Sequence, residues 1–350
     1  MSIPFRRLHL TGRELDYVRE AIDSGCLGGD GPFTRRCEAW LEANTGCAKA
    51  FLTHSGTGAL EMAAILADVQ PGDEVILPSF TFPSTANAFV LRGATPVFVD
   101  VAADTLTIDP QRVAAAVTPR TRVIVPVHYG GTAPDVEALR AHGLLLVEDA
   151  AQSLLATPPA APLAAVSFHE TKNVSAGEGG ALLVNDPRFI ERAERVREKG
   201  TDRAAFLRGE VEAYTWVDVG SSYAPGELAA AFLLAQLERA HEITARRVAI
   251  WNRYHAALHG PQAAAGNGHL YYVLLESEEA RRQTIARLAA QGIAAALHYV
   301  PLHSSAAGQR FGRVAGPMTV TDDISRRLLR LPLWPDMTDA QVDAVIAALA

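Results

Sequence analysis

Apolar and polar positions alternate between two periods along most of the chain. Short apolar runs, Val-Ile-Val-Pro-Val at 123–127 and Leu-Leu-Leu-Val at 144–147, show no period-two alternation. Strands covered on both faces read this way. Such runs recur at Lys49–Thr53, Glu74–Leu77, Pro96–Asp100, Arg122–Val127, Leu144–Glu148, Ala164–Phe168 and Gly180–Val184. Helical patterns separate several of them. Gly56–Val69 carries Leu60, Ala63, Ala64 and Ala67 on one face, and Pro83–Leu91 begins with proline where a helix tolerates it. The first 45 residues read as helices around the glycine-rich turn at Gly25, Gly28, Gly29 and Gly31. Alternating strands and helices predict an α/β fold, a mostly parallel sheet with helices on both sides.

The later third has a different rhythm. An Arg/Glu-rich helix is expected over 186–199, then a long irregular stretch over 200–226. Structureless segments of that length in a compact protein are functional or interfacial. A long helix from Glu227 to about Leu258 leads into a smaller α+β unit: strand Leu270–Leu275, helix Ser277–Gln291, strand Ile293–His298 and a closing helix Asp339–Leu349. The expected division is a large domain over 1–240 and a small one over 241–350.

Composition narrows the function. The 350 residues are 49% hydrophobic and carry a net charge of −7, with no basic run to track a nucleic acid. Cys26, Cys37 and Cys47 have no metal-ligand spacing, which fits free thiols. No apolar leader or membrane-length run is present, so the expected location is the cytoplasm.

The scarcest basic residue carries the sharpest hint. Only Lys49, Lys172 and Lys199 are lysines among the 32 basic residues. Arg keeps its proton, whereas a desolvated lysine amine attacks carbonyls. Taken alone, Lys172 in Ser167-Phe-His-Glu-Thr-Lys172-Asn reads equally as a chance surface lysine or as a nucleophile. Asp149, in Glu148-Asp149-Ala-Ala-Gln152-Ser153, closes a buried strand where open α/β sheets place ligands. It reads as a helix cap or as an acid pairing with a cofactor. A lysine with a carboxylate is what pyridoxal phosphate requires, the one to hold its aldehyde and the other to keep its ring nitrogen protonated. His54-Ser55-Gly56-Thr57-Gly58 lies between a strand and a helix, where backbone N–H groups meet a phosphate, and the Ser167 hydroxyl could add to them. Phe82 or Phe80 could stack on a flat ring, the other being core. Gly177-Glu-Gly-Gly180 permits a tight turn beside the lysine.

In this order the motifs resemble the DegT/DnrJ/EryC1/StrS family of sugar aminotransferases. They are Ser-Gly-Thr at 55–57, Pro-Ser-Phe-Thr-Phe at 78–82, Glu-Asp-Ala-Ala-Gln at 148–152, Ser-Phe-His-Glu-Thr-Lys-Asn at 167–173, Gly-Glu-Gly-Gly at 177–180 and His-Tyr-Val-Pro-Leu-His at 298–303. The resemblance implies the pyridoxal-phosphate fold type I, like aspartate aminotransferase. Lys172 becomes the Schiff-base lysine and proton shuttle, Asp149 the ring-nitrogen partner, Gln152 the ring-hydroxyl contact and Phe82 the stacking ring. Gly56, Thr57 and Ser167 become phosphate ligands. Ser222 stands where relatives present an Asn from the neighbouring subunit, which implies a homodimer with shared sites. His298, Tyr299 and His303 fall on the substrate side. The stretches 197–203, 206–209 and 214–223 look like the branch that makes dTDP-4-amino-4,6-dideoxygalactose from a keto-sugar nucleotide and glutamate. A pyridoxal-dependent dehydratase of the same fold would carry His in place of Lys172. A non-catalytic, regulatory relative would have no use for the intact Lys172, Asp149 and Gln152. A nicotinamide enzyme lacks its GxGxxG after the first strand.

Overall fold

The computed structural model describes residues 2–260 and 264–349. Its strands are β1 (Lys49–Thr53), β2 (Glu74–Pro78), β3 (Thr95–Val99), β4 (Thr121–Ile124), β5 (Leu145–Asp149), β6 (Leu163–Ser167), β7 (Gly180–Val184), β8 (Tyr272–Leu274), β9 (Arg313–Val314) and β10 (Leu328–Arg330). Eight of them form one sheet in the order β1-β7-β6-β5-β4-β2-β3-β9. Pairing is parallel throughout except that β7 runs against both β1 and β6. The ends of β1, β2, β5 and β6 therefore emerge at one edge, and the start of β7 lies there too.

The unalternating strand pattern has its expected cause. Phe51, Leu182 and Val184 enter one helix-covered core with Ala63 and Val75. Ala50, Leu52, Ala181 and Leu183 enter the opposite one with Leu41 and Leu234. Both faces of the sheet are buried, so the strand interiors are apolar on both sides and polar residues fall mainly at strand ends. The helix Gly56–Leu66 is buried nearly all round, not on one stripe, because it lies between the sheet and further helices. It stops short of Val69, with Asp68 in a left-handed conformation (φ 52°).

Several expected elements are reshaped. The helix expected over 186–199 starts as a short 3₁₀ turn and runs as Ile190–Arg197, and Lys199 beyond it has φ 65°. The stretch 200–226 is not wholly irregular: it holds the short helix Arg203–Leu207 and closes on itself through bridges Thr201↔Trp216 and Glu198↔Ser222. The long helix breaks at Arg239 into Glu227–Glu238 and Ala240–Leu258. Glu227, at the start of the first piece, ties it to an earlier helix. Its buried carboxylate accepts from Gly31 N, Phe33 N and Thr34 N, capping the helix Pro32–Thr45 across 196 to 193 residues of sequence.

The C-terminal unit packs Trp251, Tyr254, Tyr271, Trp334, Val342 and Val345 into a core of its own. The strand expected at Ile293–His298 is absent as such. Ile293 bridges Ile3, Ala296 bridges Arg330, and the chain then leaves the ladder with Leu297 exposed. That departure swings His298 inward. Pairing with β8 instead comes from β10, which the sequence pattern does not announce. Among the described residues no helix is long and apolar enough to cross a membrane.

Candidate active site

The shared strand edge gathers most of the expected residues. Asp149 ends β5, buried, with Thr85 Oγ1 donating to its Oδ2 at 2.7 Å and Ala151 N to its Oδ1 at 3.1 Å. Each oxygen keeps a lone pair for a further donor. Lys172 follows a tight turn in which its N–H donates to His169 O at 2.8 Å. Burial pushes its amine down to about 8; the Asp149 carboxylate opposes this and the Arg330 guanidinium adds to it. Compared with a free lysine, the neutral fraction near neutral pH rises by about two orders of magnitude.

Ser55 caps the helix Gly56–Leu66, its Oγ accepting from Gly58 N at 3.0 Å. The remaining N-terminal N–H groups and the positive end of the dipole are left for an anion. Thr57 Oγ1 lies 2.8 Å from Ser84 Oγ, so two hydroxyls flank the same point. Ser167 closes the cradle. A Cβ on Gly56 would come within 2.9 Å of its Cβ. A Cβ on Gly180 would collide with the backbone nitrogen of Gly56. Gly180 is thus glycine for close approach, while Gly177, at φ 80°, supplies the turn.

The two candidate rings part company. Phe80 is 1% exposed and packs on Tyr129 and Tyr299, at 5.2 and 5.5 Å between centroids. Phe82, at the start of the helix Pro83–Val90, is 57% exposed and keeps its face free. Gln152 links two distant loops: its Oε1 accepts from Gly130 N and its Nε2 donates to Tyr299 Oη, both at 2.8 Å.

His298 and Tyr299 join this wall. Tyr129 Oη sits 3.1 Å from His298 Nδ1, a contact across 169 residues of sequence. Burial holds His298 neutral, well below the usual imidazole range, and raises the phenols of Tyr129 and Tyr299. His303 is engaged elsewhere, with Ser79 Oγ at 2.7 Å and Asp322 at 3.3 Å. Ser222 is exposed and bridges Glu198, next to Tyr223, whose carbonyl accepts from His54 N behind the cradle. Lys199 is exposed beside Glu198.

Sequence reasoning missed Ser84, Thr85, Tyr129, His269 and Arg330. Ser84 and Thr85 sit on the first turn after Phe82 and were hidden in an ordinary helix start. His269 fixes the residue after the lysine: its Nδ1 lies 3.0 Å from Asn173 Oδ1, while Asn173 Nδ2 donates to Asn267 O. Arg330 was one arginine among many.

An amine whose pKa burial lowers, an acid at a strand end and a hydroxyl-lined helix terminus at one sheet edge define a pyridoxal-phosphate enzyme of fold type I. The groups present fit that cofactor: a cradle a Cβ would fill, a carboxylate with lone pairs to spare and an exposed ring face. The chain belongs to the DegT/DnrJ/EryC1/StrS aminotransferase family, whose profile matches residues 9–350. Among solved structures it is similar to DesV from S. venezuelae, solved with a ketimine intermediate. Identity to DesV is 32%, the match covers 99% of this chain and 97% of that one, and the TM-score is 0.89. The aminotransferase TlmJ from Streptoalloteichus hindustanus matches at 30% identity, covering 100% and 97%, with TM-score 0.88. Spr1654 from Streptococcus pneumoniae, assigned as a sugar aminotransferase and solved in its PMP form, matches at 27% identity, covering 99% and 96%, with TM-score 0.91. The same protein is also known in a PLP form. Pyridoxal phosphate is the cofactor.

Proposed function

We propose that this chain moves an amino group from glutamate to the keto carbon of a 4-keto-6-deoxy sugar nucleotide, giving a 4-amino-4,6-dideoxy sugar nucleotide. The observation that carries the reading is Lys172. Burial lowers the pKa of its amine to about 8, at the edge where Asp149 and the Ser55–Thr57 cradle converge. When bound, pyridoxal phosphate supplies the electron sink that makes the donor's Cα–H acidic. Lys172 Nζ would take the proton from that Cα and, in the second half, deliver one to the former ketone carbon of the sugar. Asp149 would hold a proton on the ring nitrogen, and Gln152 would contact the ring hydroxyl. Phe82 would cover the ring face; Gly56, Thr57 and Ser167 would bind the phosphate. His298, Tyr299 and His303 belong to the substrate side of the reading, His303 through its hold on Ser79.

The dTDP-linked substrate, with the dTDP-4-amino-4,6-dideoxygalactose product, is favoured by the 197–223 segment, whose sequence is like that branch. The exposed side chains there, Trp216 at 82% among them, suit a second copy of the chain, with Ser222 offered to the neighbour's phosphate. A large domain over 1–240 and a small one over 241–350 complete the reading.

The decisive test incubates the purified protein with glutamate and a set of dTDP-, UDP- and GDP-linked keto sugars, identifying products by mass and NMR. The expected result is a yellow protein absorbing above about 400 nm that bleaches with glutamate and aminates the dTDP-linked 4-keto-6-deoxy sugar. A colourless protein that takes up no pyridoxal phosphate overturns the reading.

A further inference from the structure

The residue after the lysine is gripped by a distant loop, Asn267-Gly-His269. Asn173 is buried, and its Nδ2 donates to Asn267 O at 2.8 Å. That contact turns its Oδ1 toward His269, whose Nδ1 lies 3.0 Å away. An amide oxygen only accepts, so His269 carries its proton on Nδ1. A second proton is disfavoured, first by burial and then by Lys172, Arg247, Arg330 and His298 around it. His269 is therefore a neutral ring in one fixed tautomer. The loop that carries it is pinned in turn. Asn267 Nδ2 donates to Gln152 O at 3.1 Å and to Leu154 O at 2.8 Å, and its Oδ1 accepts from His269 N at 3.1 Å. Arg247, buried on the helix Ala240–Leu258, donates from Nε to Gly268 O at 3.0 Å and from Nη2 to His269 O at 2.7 Å. Gly268 has φ 64°, and a Cβ there would come within 2.7 Å of the Arg247 carbonyl carbon.

We propose that His269 is a positioning residue for the reaction: its Nδ1–H, acting through Asn173, sets the direction from which Lys172 presents its amine. The backbone of Lys172 is tied on one side by its own N–H, which donates to His169 O at 2.8 Å. On the other side the tie is the Asn173 side chain, and His269 and Asn267 hold both ends of that amide. A long, flexible side chain inherits its aim from the backbone that carries it. A misplacement of about 1 Å costs on the order of 100-fold in a proton transfer that needs aligned partners. The same loop holds the carbonyl of Gln152, so one support registers two residues of the site. A neutral ring suits this place, because a charged one would stand against the Lys172 ammonium across a desolvated gap. The inference rests on Lys172 being the reactive amine, and it gives His269 no contact with substrate or cofactor.

The test compares His269→Ala, His269→Asn and His269→Gln. Asparagine places an amide N–H near the position of Nδ1, and glutamine places it near that of Nε2. In rapid mixing of the cofactor-loaded protein with glutamate, His269→Ala is expected to lower the maximal bleaching rate about 10- to 100-fold. The half-saturating glutamate concentration should stay within about 2-fold. His269→Asn should recover most of the rate and His269→Gln little of it. Uptake of pyridoxal phosphate by the cofactor-free protein, which needs the Lys172 amine, should slow in the same order. Calorimetric affinity for pyridoxamine phosphate, which forms no bond to the lysine, should hold. Asn173→Ala should match His269→Ala, and the double variant should lose no more than either. Unchanged rates in His269→Ala overturn the proposal, as does rescue by glutamine equal to that by asparagine. Additive losses in the double variant overturn it too, and so does a fall in pyridoxamine phosphate affinity as large as the fall in rate, the mark of a merely structural role. Should His269→Ala not fold, the other two variants carry the test, with asparagine required to be the faster. A wild type that takes up pyridoxal phosphate but never bleaches with glutamate removes the donor assignment, and the uptake series still judges His269. A wild type that takes up no pyridoxal phosphate fails the function reading itself.

Discussion

The two walls of the site are built by different means. The cradle side is local: β1, the turn at 54–58 and the helix Gly56–Leu66 are consecutive, and β6 and β7 meet them by register, Ser167 and Thr53 each opposite Gly180. It is made largely of backbone and glycine, and its polar groups are aimed at one point. The opposite wall is assembled from Tyr129, Gln152, His298 and Tyr299, joined in pairs by side-chain bonds across more than a hundred residues. Burial shifts the ionisation of Tyr129, His298 and Tyr299 on this wall. In the proposed reading the first construction would grip the cofactor common to the family, and substrates that vary would meet the second.

Removing the group between the walls should have the largest effect. Lys172→Ala is expected to lower turnover by about 10⁴-fold or more, measured as product formed per site, with folding intact by circular dichroism. Full activity in that variant would remove the chemistry from this edge altogether.

Substitution of the two aromatics separates core from site. Phe80→Ala should destabilise the protein by about 3–5 kcal/mol, since its fully buried ring packs on Tyr129 and Tyr299. Phe82→Ala should leave stability within about 0.5 kcal/mol and weaken cofactor affinity about 5-fold through lost stacking. Thermal melts with and without cofactor read both, and reversed effects would exchange the two assignments.

Gly180→Ala tests whether the cradle is backbone-built. The added methyl meets the Gly56 nitrogen, so the strand must shift, at a cost of about 1–3 kcal/mol together with weakened cofactor binding. A silent substitution, in melts and in cofactor titration alike, would mean that the close approach is not needed.

The smallest effect is a pH dependence. With the Lys172 amine at about 8, only the neutral form attacks an aldehyde. The rate of pyridoxal-phosphate uptake by the cofactor-free protein should rise with pH up to about 8 and level off above it. A rise continuing beyond pH 10, as for an ordinary lysine, would show that burial does not tune this amine.

The parallel sheet, the strand ends and the cradle were legible because each depends on neighbours in sequence: apolar runs for strands, Ser-Gly-Thr at a strand-to-helix turn, an acid closing β5. Scarcity singled out Lys172 for the same reason, since nothing distant is needed to notice it. Other choices were open in the sequence. Phe80 and Phe82 are two positions apart and equally aromatic; packing of Tyr129 and Tyr299 buried one and left the other exposed. His303 lies in the same motif as His298, yet bonds to Ser79 and Asp322 direct it elsewhere.

The sequence by itself determined the α/β architecture, the family and the consecutive half of the site, because apolar periodicity and turn chemistry act over a few residues. Only the tertiary structure decided which aromatic is free, where Ile293–His298 leaves its ladder, and that Tyr129 meets His298 while Gln152 meets Tyr299. Those outcomes depend on which groups meet across the fold and which are denied a partner there. One-dimensional spacing does not carry that information.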